Sequence, residues 1–293
     1  MIFVSGANGQ FANSVIRNIL AEGGGQSLVV GTRNVDSPYA RELVQAGVEV
    51  RKADFREPQL MREALRGVER SLFIPTYDPN EVRLQQNLNA LDAARSAGVG
   101  HVIYASFVNV DSPRVEHSRL VHRPTEQAIR ASGLGFTILR HALYADINLG
   151  DLGETLATGV FRRPLGVARS AYIAREDLGI SAAKVLMSDG PSGQTLVETM
   201  EQTYSGSEIA EWMTEVFGRP VRYEAAPAAG WPRYMTEKWG VPPEISKSVL
   251  GTMEAIEAGE FDLVSDDYRR ITGRPARSMR EFFEDVRRSG LPG

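Results

Sequence analysis

The sequence predicts an α/β fold: a doubly wound parallel sheet followed by a smaller mixed α/β C-terminal lobe. Three observations lead there. Short apolar runs alternate with longer amphipathic ones over the first 140 residues. A glycine-rich turn, Ser5-Gly6-Ala7-Asn8-Gly9-Gln10-Phe11-Ala12, joins the first strand-like run to the first helix-like one. The alternation then loosens after Arg140. Strands that alternate with helices pair in parallel through right-handed crossovers.

The candidate strands of the first part are residues 2–5, 28–31, 48–51, 71–74, 101–105 and 136–140. Each is short and rich in Val, Ile, Leu or Phe, as strands buried on both faces are. Between them, Phe11, Val15, Ile16, Ile19 and Leu20 share one helix face, and so do Leu84, Leu88, Leu91 and Ala94. Gly98 follows the second stripe as a helix stop. In the second part, residues 153–163 read as a short helix or loop and then a strand. Residues 172–173, 194–198 and 220–224 read as strands. Residues 176–187 form a helix with Leu178, Ser181, Ala182 and Val185 inward. Ile209, Trp212, Met213, Val216 and Phe217 form another, capped by Ser205 or Ser207. Helices are also expected around 231–239, 244–258 and 279–286.

The 293 residues are 42% hydrophobic and 24% charged, an ordinary globular composition. No cysteine is present, which excludes disulfides, thiolate nucleophiles and Cys-ligated zinc and fits a cytoplasmic location. A formal net charge of −4 argues against nucleic acid as a partner. No apolar run reaches the ~18 residues of a membrane span. Residues 1–5 lack a basic leader segment and run straight into the glycine turn, so no signal peptide is expected. The basic side is 29 Arg against four lysines, Lys52, Lys184, Lys238 and Lys247.

In the glycine turn, Gly6 allows a tight departure from the strand. Gly9 lets backbone approach a pyrophosphate at the helix N-terminus, and Ala12 is small enough for helix–sheet packing. The spacing is G-x-x-G-x-x-A, and strand before, helix after and N-terminal position turn a weak motif into a specific one. Residues 1–150 are therefore expected to form a dinucleotide-binding domain, to which 165–190 return. Residues 151–293 are expected to form a smaller substrate-binding lobe, a lid over the carboxyl edge of the sheet. The second strand ends in Thr32-Arg33-Asn34, with no acid before Asp36 to hold a ribose 2′-hydroxyl. Arg33 pairs well with a 2′-phosphate and favours NADP(H), unless it is a solvated loop arginine. Asp54 either meets the adenine amino group or caps the helical run beginning near Glu57.

At this point the chain resembles an atypical short-chain dehydrogenase/reductase of the NmrA-like family, most similar to NADPH:quinone oxidoreductases and triphenylmethane reductases. The matching residues are the glycine turn, Val30-Gly31-Thr32-Arg33-Asn34, Ala53-Asp54-Phe55, Leu72-Phe73-Ile74 and Ala94 to Val99. They continue through Ile103-Tyr104-Ala105-Ser106, Ser132-Gly133, Thr137 to Arg140, Glu176-Asp177-Leu178-Gly179 and Thr272-Gly273-Arg274-Pro275. The resemblance implies a Rossmann sheet. It also implies that Gly6, Asn8, Gly9, Gln10 and Phe11 cradle the pyrophosphate and that Arg33 takes the 2′-phosphate. Ile74, Pro75 and Thr76 would line the nicotinamide, and Ser106 would stand beside it. Where the wider superfamily carries Tyr-x-x-x-Lys, this chain has Ser118 and His122, with Glu126 four residues on. The family's proline after Leu139-Arg140 is His141, and a nearby asparagine is replaced at Asp146-Ile147.

Reduction of a simple ketone creates a strongly basic alkoxide and needs a placed acid. Reduction of a quinone creates a phenolate-like oxygen whose conjugate acid has a pKa of about 10. A cationic dye needs no proton, because hydride alone neutralises it. Loss of the Tyr-x-x-x-Lys pair therefore favours quinone-like or dye-like acceptors. The expected activity is NADPH-dependent hydride transfer to a small aromatic or quinoid substrate. The candidate catalytic residues are Ser106, His122 and Tyr144. His122 is either a partner of the nicotinamide ribose and proton relay, or an exposed helix histidine before Pro124. Tyr144 either walls the pocket or is a core tyrosine. Trp231 and Trp239 either close over an aromatic acceptor or form lid core. Tyr234 and Lys238 match Tyr-x-x-x-Lys only by chance on a surface helix. Ser181 and Lys184 match S-x-x-K inside an apolar-periodic helix, without its companion motifs. His117 and His122 lack the acidic partners of a metal site. A non-catalytic NADP(H)-sensing regulator that binds a protein partner is the rival reading, and a homodimer is compatible with either.

Overall fold

The computed structural model describes residues 1–190 and 192–290. In chain order it contains β1 (Ile2–Ser5), α1 (Gln10–Ala21), β2 (Leu28–Thr32), α2 (Pro38–Gln45), β3 (Glu49–Lys52), α3 (Pro58–Ala64), β4 (Arg70–Phe73) and α4 (Asn80–Ala97). There follow β5 (His101–Phe107), a π-helical turn (Ser118–His122), α5 (Arg123–Ala131), β6 (Gly135–His141), β7 (Leu143–Tyr144), α6 (Leu152–Thr158), β8 (Val160–Arg163), β9 (Arg169–Ile173), α7 (Arg175–Met187) and β10 (Gln194–Glu198). The chain continues with β11 (Thr203–Ser205), α8 (Gly206–Phe217), β12 (Arg222–Ala225), α9 (Trp231–Trp239), α10 (Pro243–Ser248), α11 (Leu250–Glu257), α12 (Asp267–Thr272) and α13 (Met279–Ser289).

Two compact units emerge. The first comprises residues 1–107, 120–140 and 175–197. Its seven-stranded sheet has the order β10-β6-β5-β4-β1-β2-β3, and β3–β2, β2–β1, β1–β4 and β4–β5 pair in parallel. β1 and β2 are buried along their whole length, as their unbroken apolar runs demand. β3 lies at the edge with a polar, half-exposed pattern and is shifted by one residue from the expected 48–51. Gly31 is required in β2, because a Cβ there would overlap the Phe3 ring. One face of the core gathers Phe3, Phe55, Met61, Phe73, Leu91 and Tyr104.

α7 lies late in the sequence yet belongs to this unit, packed along α1. The contact is close enough that a Cβ at Gly179 would collide with Ser14, whose Oγ donates to Glu176 O at 3.3 Å. Arg70 of β4 donates to the Val185 and Leu186 carbonyls at 3.0 Å each, satisfying the acceptors at the end of α7.

The second unit comprises residues 108–119, 141–174 and 198–293. It holds a three-stranded sheet, β11-β9-β7, and a two-stranded one, β12-β8. α8 opens with a full capping box, with Ser205 and Glu208 each bonding the other's backbone. The single helix expected over 244–258 is two, α10 and α11, with a break at Val249. Gly251 is the second residue of α11, where a Cβ would strike the Arg114 carbonyl. α12 was not expected from the sequence. No helix among the described residues is long and apolar enough to cross a membrane.

Candidate functional site

Parallel pairing puts the carboxyl ends of β1 to β5 on one edge of the sheet, and the predicted cofactor residues follow those ends. Gly6 leaves β1 at φ +71°, a left-handed conformation that favours glycine. Gly9 caps α1 with no side-chain hydrogen bond, and a Cβ on it would come within 3.3 Å of Gly6 O. The first turn of α1 contains no acidic residue, while Asn8 and Gln10 are exposed. A 12-residue helix with an uncapped N-terminus and no competing carboxylate fits a pyrophosphate. Arg175, at the start of α7, donates to Gln10 Oε1 at 3.0 Å. It brings a cation to this loop that sequence reasoning missed, because the two residues are 165 positions apart.

Arg33 is exposed just past β2. Asp54 follows β3 and accepts from the Arg56 N–H at 2.9 Å and from its Nε and Nη2 at 3.2 Å each. Burial opposes ionisation of Asp54. The Arg56 hydrogen bonds and the charges of Arg56 and Arg33 outweigh it and hold the carboxyl below its ordinary value. Asp54 does not cap the following helix, since Glu57 occupies the N-cap of α3. Beyond β4, the Ile74 N–H donates to Ser5 Oγ at 2.9 Å, which ties the tips of β1 and β4 together. Thr76 bonds Gln86 of α4, and Gln86 donates to Asp78 at 2.8 Å, so Gln86 orders the segment containing Ile74, Pro75 and Thr76.

Ser106 is buried near the end of β5, and its Oγ donates to Glu126 Oε1 at 2.7 Å. Glu126 on α5 is only 3% exposed and accepts from Arg140 Nε (2.9 Å) and Nη2 (2.6 Å) and from Arg130 Nη2 (3.1 Å). Two guanidinium groups offset the charge of a carboxylate removed from water. Arg130 was legible as an i,i+4 partner of Glu126. Arg140, on the neighbouring strand, was not.

His122 ends the π-helical turn and is 5% exposed, so it is not a surface histidine. Its Nδ1 lies 3.0 Å from the Tyr104 hydroxyl, whose oxygen accepts from Asn87 Nδ2 at 3.0 Å. Burial pushes the Tyr104 hydroxyl well above its ordinary value against hydrogen bonds with Thr125 and Asn87 that pull it down. The phenol therefore stays protonated, and its proton is available to His122. Ser118 is the residue that the sequence resemblance put in place of the superfamily tyrosine. It is fully buried and its hydroxyl donates to Val108 O at 3.1 Å.

Tyr144 belongs to the second unit, in β7, with its hydroxyl 3.2 Å from His141 Nδ1. In the same unit Trp231 and Trp239 pack around Arg163, with the guanidinium carbon 5.6 Å and 5.5 Å from their rings and 4.7 Å from that of Phe161. Arg163 is paired with Asp151 through two nitrogens, at 2.6 and 2.9 Å. The tryptophans are thus packing around an internal cation. Tyr234 stacks on Trp231 and Lys238 pairs with Glu154, so this Tyr-x-x-x-Lys spacing serves packing and an ion pair. No cluster of three potential metal ligands occurs among the described residues.

A parallel sheet flanked by helices, with a glycine turn after β1, defines a Rossmann-type α/β protein. The chain belongs to the NmrA-like family, whose pattern matches residues 1–271. It is 29% identical to an NAD(P)H azoreductase of Xenophilus azovorans and 27% identical to quinone oxidoreductase 2 of Escherichia coli, over 96% of each chain in both cases. Its fold is similar to that of Citrobacter sp. triphenylmethane reductase complexed with NADP(H), with a TM-score of 0.88, 29% identity and 99% of both chains covered. An NADPH complex of the E. coli NADPH-dependent quinone oxidoreductase aligns with a TM-score of 0.89 and 25% identity, over 98% of this chain and 99% of that one.

Proposed function

We propose that this protein is an NADPH-dependent reductase of quinones, azo compounds or related conjugated aromatic acceptors. The observation that carries the acceptor class is Ser118. In place of a tyrosine acid there is a buried serine whose proton is committed to a backbone carbonyl. A site without that acid suits acceptors whose reduced oxygen or nitrogen is stabilised by conjugation. The azoreductase, quinone oxidoreductase and triphenylmethane reductase relatives support this reading.

Gly6, Asn8, Gly9, Gln10 and Phe11 cradle the pyrophosphate at the α1 N-terminus, assisted by Arg175. Arg33 pairs with the 2′-phosphate, and Asp54 accepts from the adenine amino group. Ile74, Pro75 and Thr76 line the nicotinamide. When bound, the dihydronicotinamide supplies hydride. Ser106 has its proton committed to Glu126 and so offers lone pairs, accepting from the carboxamide or ribose. His122, oriented by Tyr104, holds the nicotinamide ribose.

The test is NADPH oxidation over a panel of quinones, azo dyes and cationic dyes, with NADH alongside. Saturable, protein-dependent turnover with NADPH preferred is expected. Tight NADPH binding with no turnover on any acceptor would overturn the reductase reading in favour of a sensor.

A further inference from the structure

A hydrogen bond between a hydroxyl and an imidazole does not by itself say which side gives the proton. In the first unit, a chain of such bonds ends on a group of fixed polarity, the Val121 carbonyl, which can only accept. Thr125 Oγ1 of α5 donates to it at 2.7 Å. Having given away its one proton, the Thr125 hydroxyl accepts from Asn87 of α4, so the amide turns Nδ2 toward it at 3.2 Å. The same nitrogen is 3.0 Å from the Tyr104 hydroxyl oxygen of β5, which accepts its other hydrogen. The Tyr104 proton then goes to His122 Nδ1, 3.0 Å away, because an imidazole nitrogen is a better acceptor than the Thr125 oxygen. A neutral ring whose Nδ1 accepts carries its proton on Nε2.

We infer that Asn87 and Tyr104 are positioning residues that lock His122 as the neutral tautomer protonated on Nε2, a hydrogen-bond donor for an oxygen of the ligand. All the residues of the chain belong to one compact unit, and none is more than 5% exposed, so water does not compete for these bonds. In such a place a mispaired polar group is costly, and one fixed polarity propagates from bond to bond. Burial raises the Tyr104 pKa, which keeps the phenol supplied with the proton it gives to Nδ1.

Under the proposed function, the oxygen that accepts from Nε2–H is a hydroxyl of the nicotinamide ribose. That donor role rests on the reductase reading, whereas the tautomer follows from bonds within the protein alone. The lock also removes His122 from proton relay. Its Nδ1 holds no proton to pass on, and the Nε2–H of a neutral imidazole is far too weak an acid to give one up. This agrees with acceptors whose reduced form needs no placed acid.

The first measurement is 15N NMR of the ligand-free full chain, above the ordinary histidine pKa. The chain has four histidines, and the His122 signals are assigned by their loss in His122→Gln. Wild type should show Nδ1 as an unprotonated, hydrogen-bonded nitrogen and Nε2 as the protonated one. In Tyr104→Phe and Asn87→Ala the two nitrogens should move toward shared protonation. A proton on Nδ1 in wild type, or an unchanged tautomer in Tyr104→Phe, overturns the lock. The second measurement compares the Kd of NADPH with that of adenosine 2′,5′-bisphosphate, which lacks the nicotinamide ribose. Tyr104→Phe should raise the Kd of NADPH by about threefold to tenfold and leave that of the bisphosphate unchanged. Equal weakening of both probes, or of neither, overturns the donor role. Should one variant fail to fold, the other and the wild-type tautomer still decide. Wild-type inactivity with every acceptor would overturn the reductase reading alone, because neither readout requires turnover.

Discussion

The Ser106 hydroxyl donates to Glu126 Oε1 at 2.7 Å, and Arg140 grips the same carboxylate through Nε and Nη2. A residue that reads in sequence as a lone serine at a strand tip is therefore one end of a buried charged network, with its proton committed and only lone pairs left to accept a hydrogen bond.

Removal of Glu126 leaves Arg140 partly buried with its principal counter-charge gone. Glu126→Ala is expected to cost about 3–5 kcal/mol of stability. Ser106→Ala removes one hydrogen bond from a carboxylate that keeps its guanidinium partners and should cost about 1–3 kcal/mol. Urea unfolding measures both, and equal losses would contradict the dominance of the ion pair.

Arg33 is exposed just past β2, and under the proposed function its role is selectivity. Loss of a charge-assisted hydrogen bond to a 2′-phosphate is worth about 1.5–3 kcal/mol. Arg33→Ala should therefore raise KM for NADPH by on the order of tenfold to a hundredfold, with KM for NADH little changed. Parallel loss with both cofactors would show that Arg33 does not read the phosphate.

Gly6 sits at φ +71°, so Gly6→Ala places a side chain in the left-handed region at about 1–2 kcal/mol. Because the strain falls on the turn proposed to meet the pyrophosphate, NADPH affinity should drop with near-UV circular dichroism retained. Fluorescence titration with NADPH measures it, and unchanged affinity would remove the turn from the binding site.

His101 Nε2 lies 3.0 Å from Thr137 Oγ1, and burial first, with the Arg70 charge second, lowers its pKa from 6.5 to about 4. The unfolded chain takes up this proton at higher pH than the folded one. The contribution to stability is therefore full above about pH 6.5 and is lost as pH falls toward 4. The thermal midpoint should decline over that window in wild type and decline less in His101→Gln. Identical slopes would show that His101 does not carry the linkage.

Asp151 is the counter-ion of Arg163 inside the ring of Phe161, Trp231 and Trp239. Asp151→Ala should cost about 3–5 kcal/mol, since it leaves a buried guanidinium unpaired. The rank order of acceptors should be preserved, because this cluster is packing. A reordered acceptor panel at unchanged stability would reverse that assignment.

The sheet was legible because its determinants are local. Short runs rich in Val, Ile, Leu or Phe mark β1, β2, β4, β5 and β6, and the turn residues Gly6, Gly9 and Ala12 mark the start of α1. Boundaries moved by one or two residues: β3 and β4 are each shifted by one, and β2, β5 and β6 run further than the apolar pattern. Within the candidate site, the proposed residues were chosen by their position after strand ends. Their partners were not named from sequence, although Arg130 lies only one helical turn from Glu126.

By itself the sequence determined a parallel α/β sheet, a phosphate-type turn and the strand ends that cofactor residues follow. Backbone conformation and hydrophobic period are set within a few residues of the chain. The tertiary structure decided which groups pair: Ser106 with Glu126, His122 with Tyr104, His141 with Tyr144, Gln10 with Arg175, and the two tryptophans with Arg163. Those contacts join residues many positions apart, or on different elements, whose packing brings them together. Desolvation inside that packing decides which polar side chains must be partnered, and with whom.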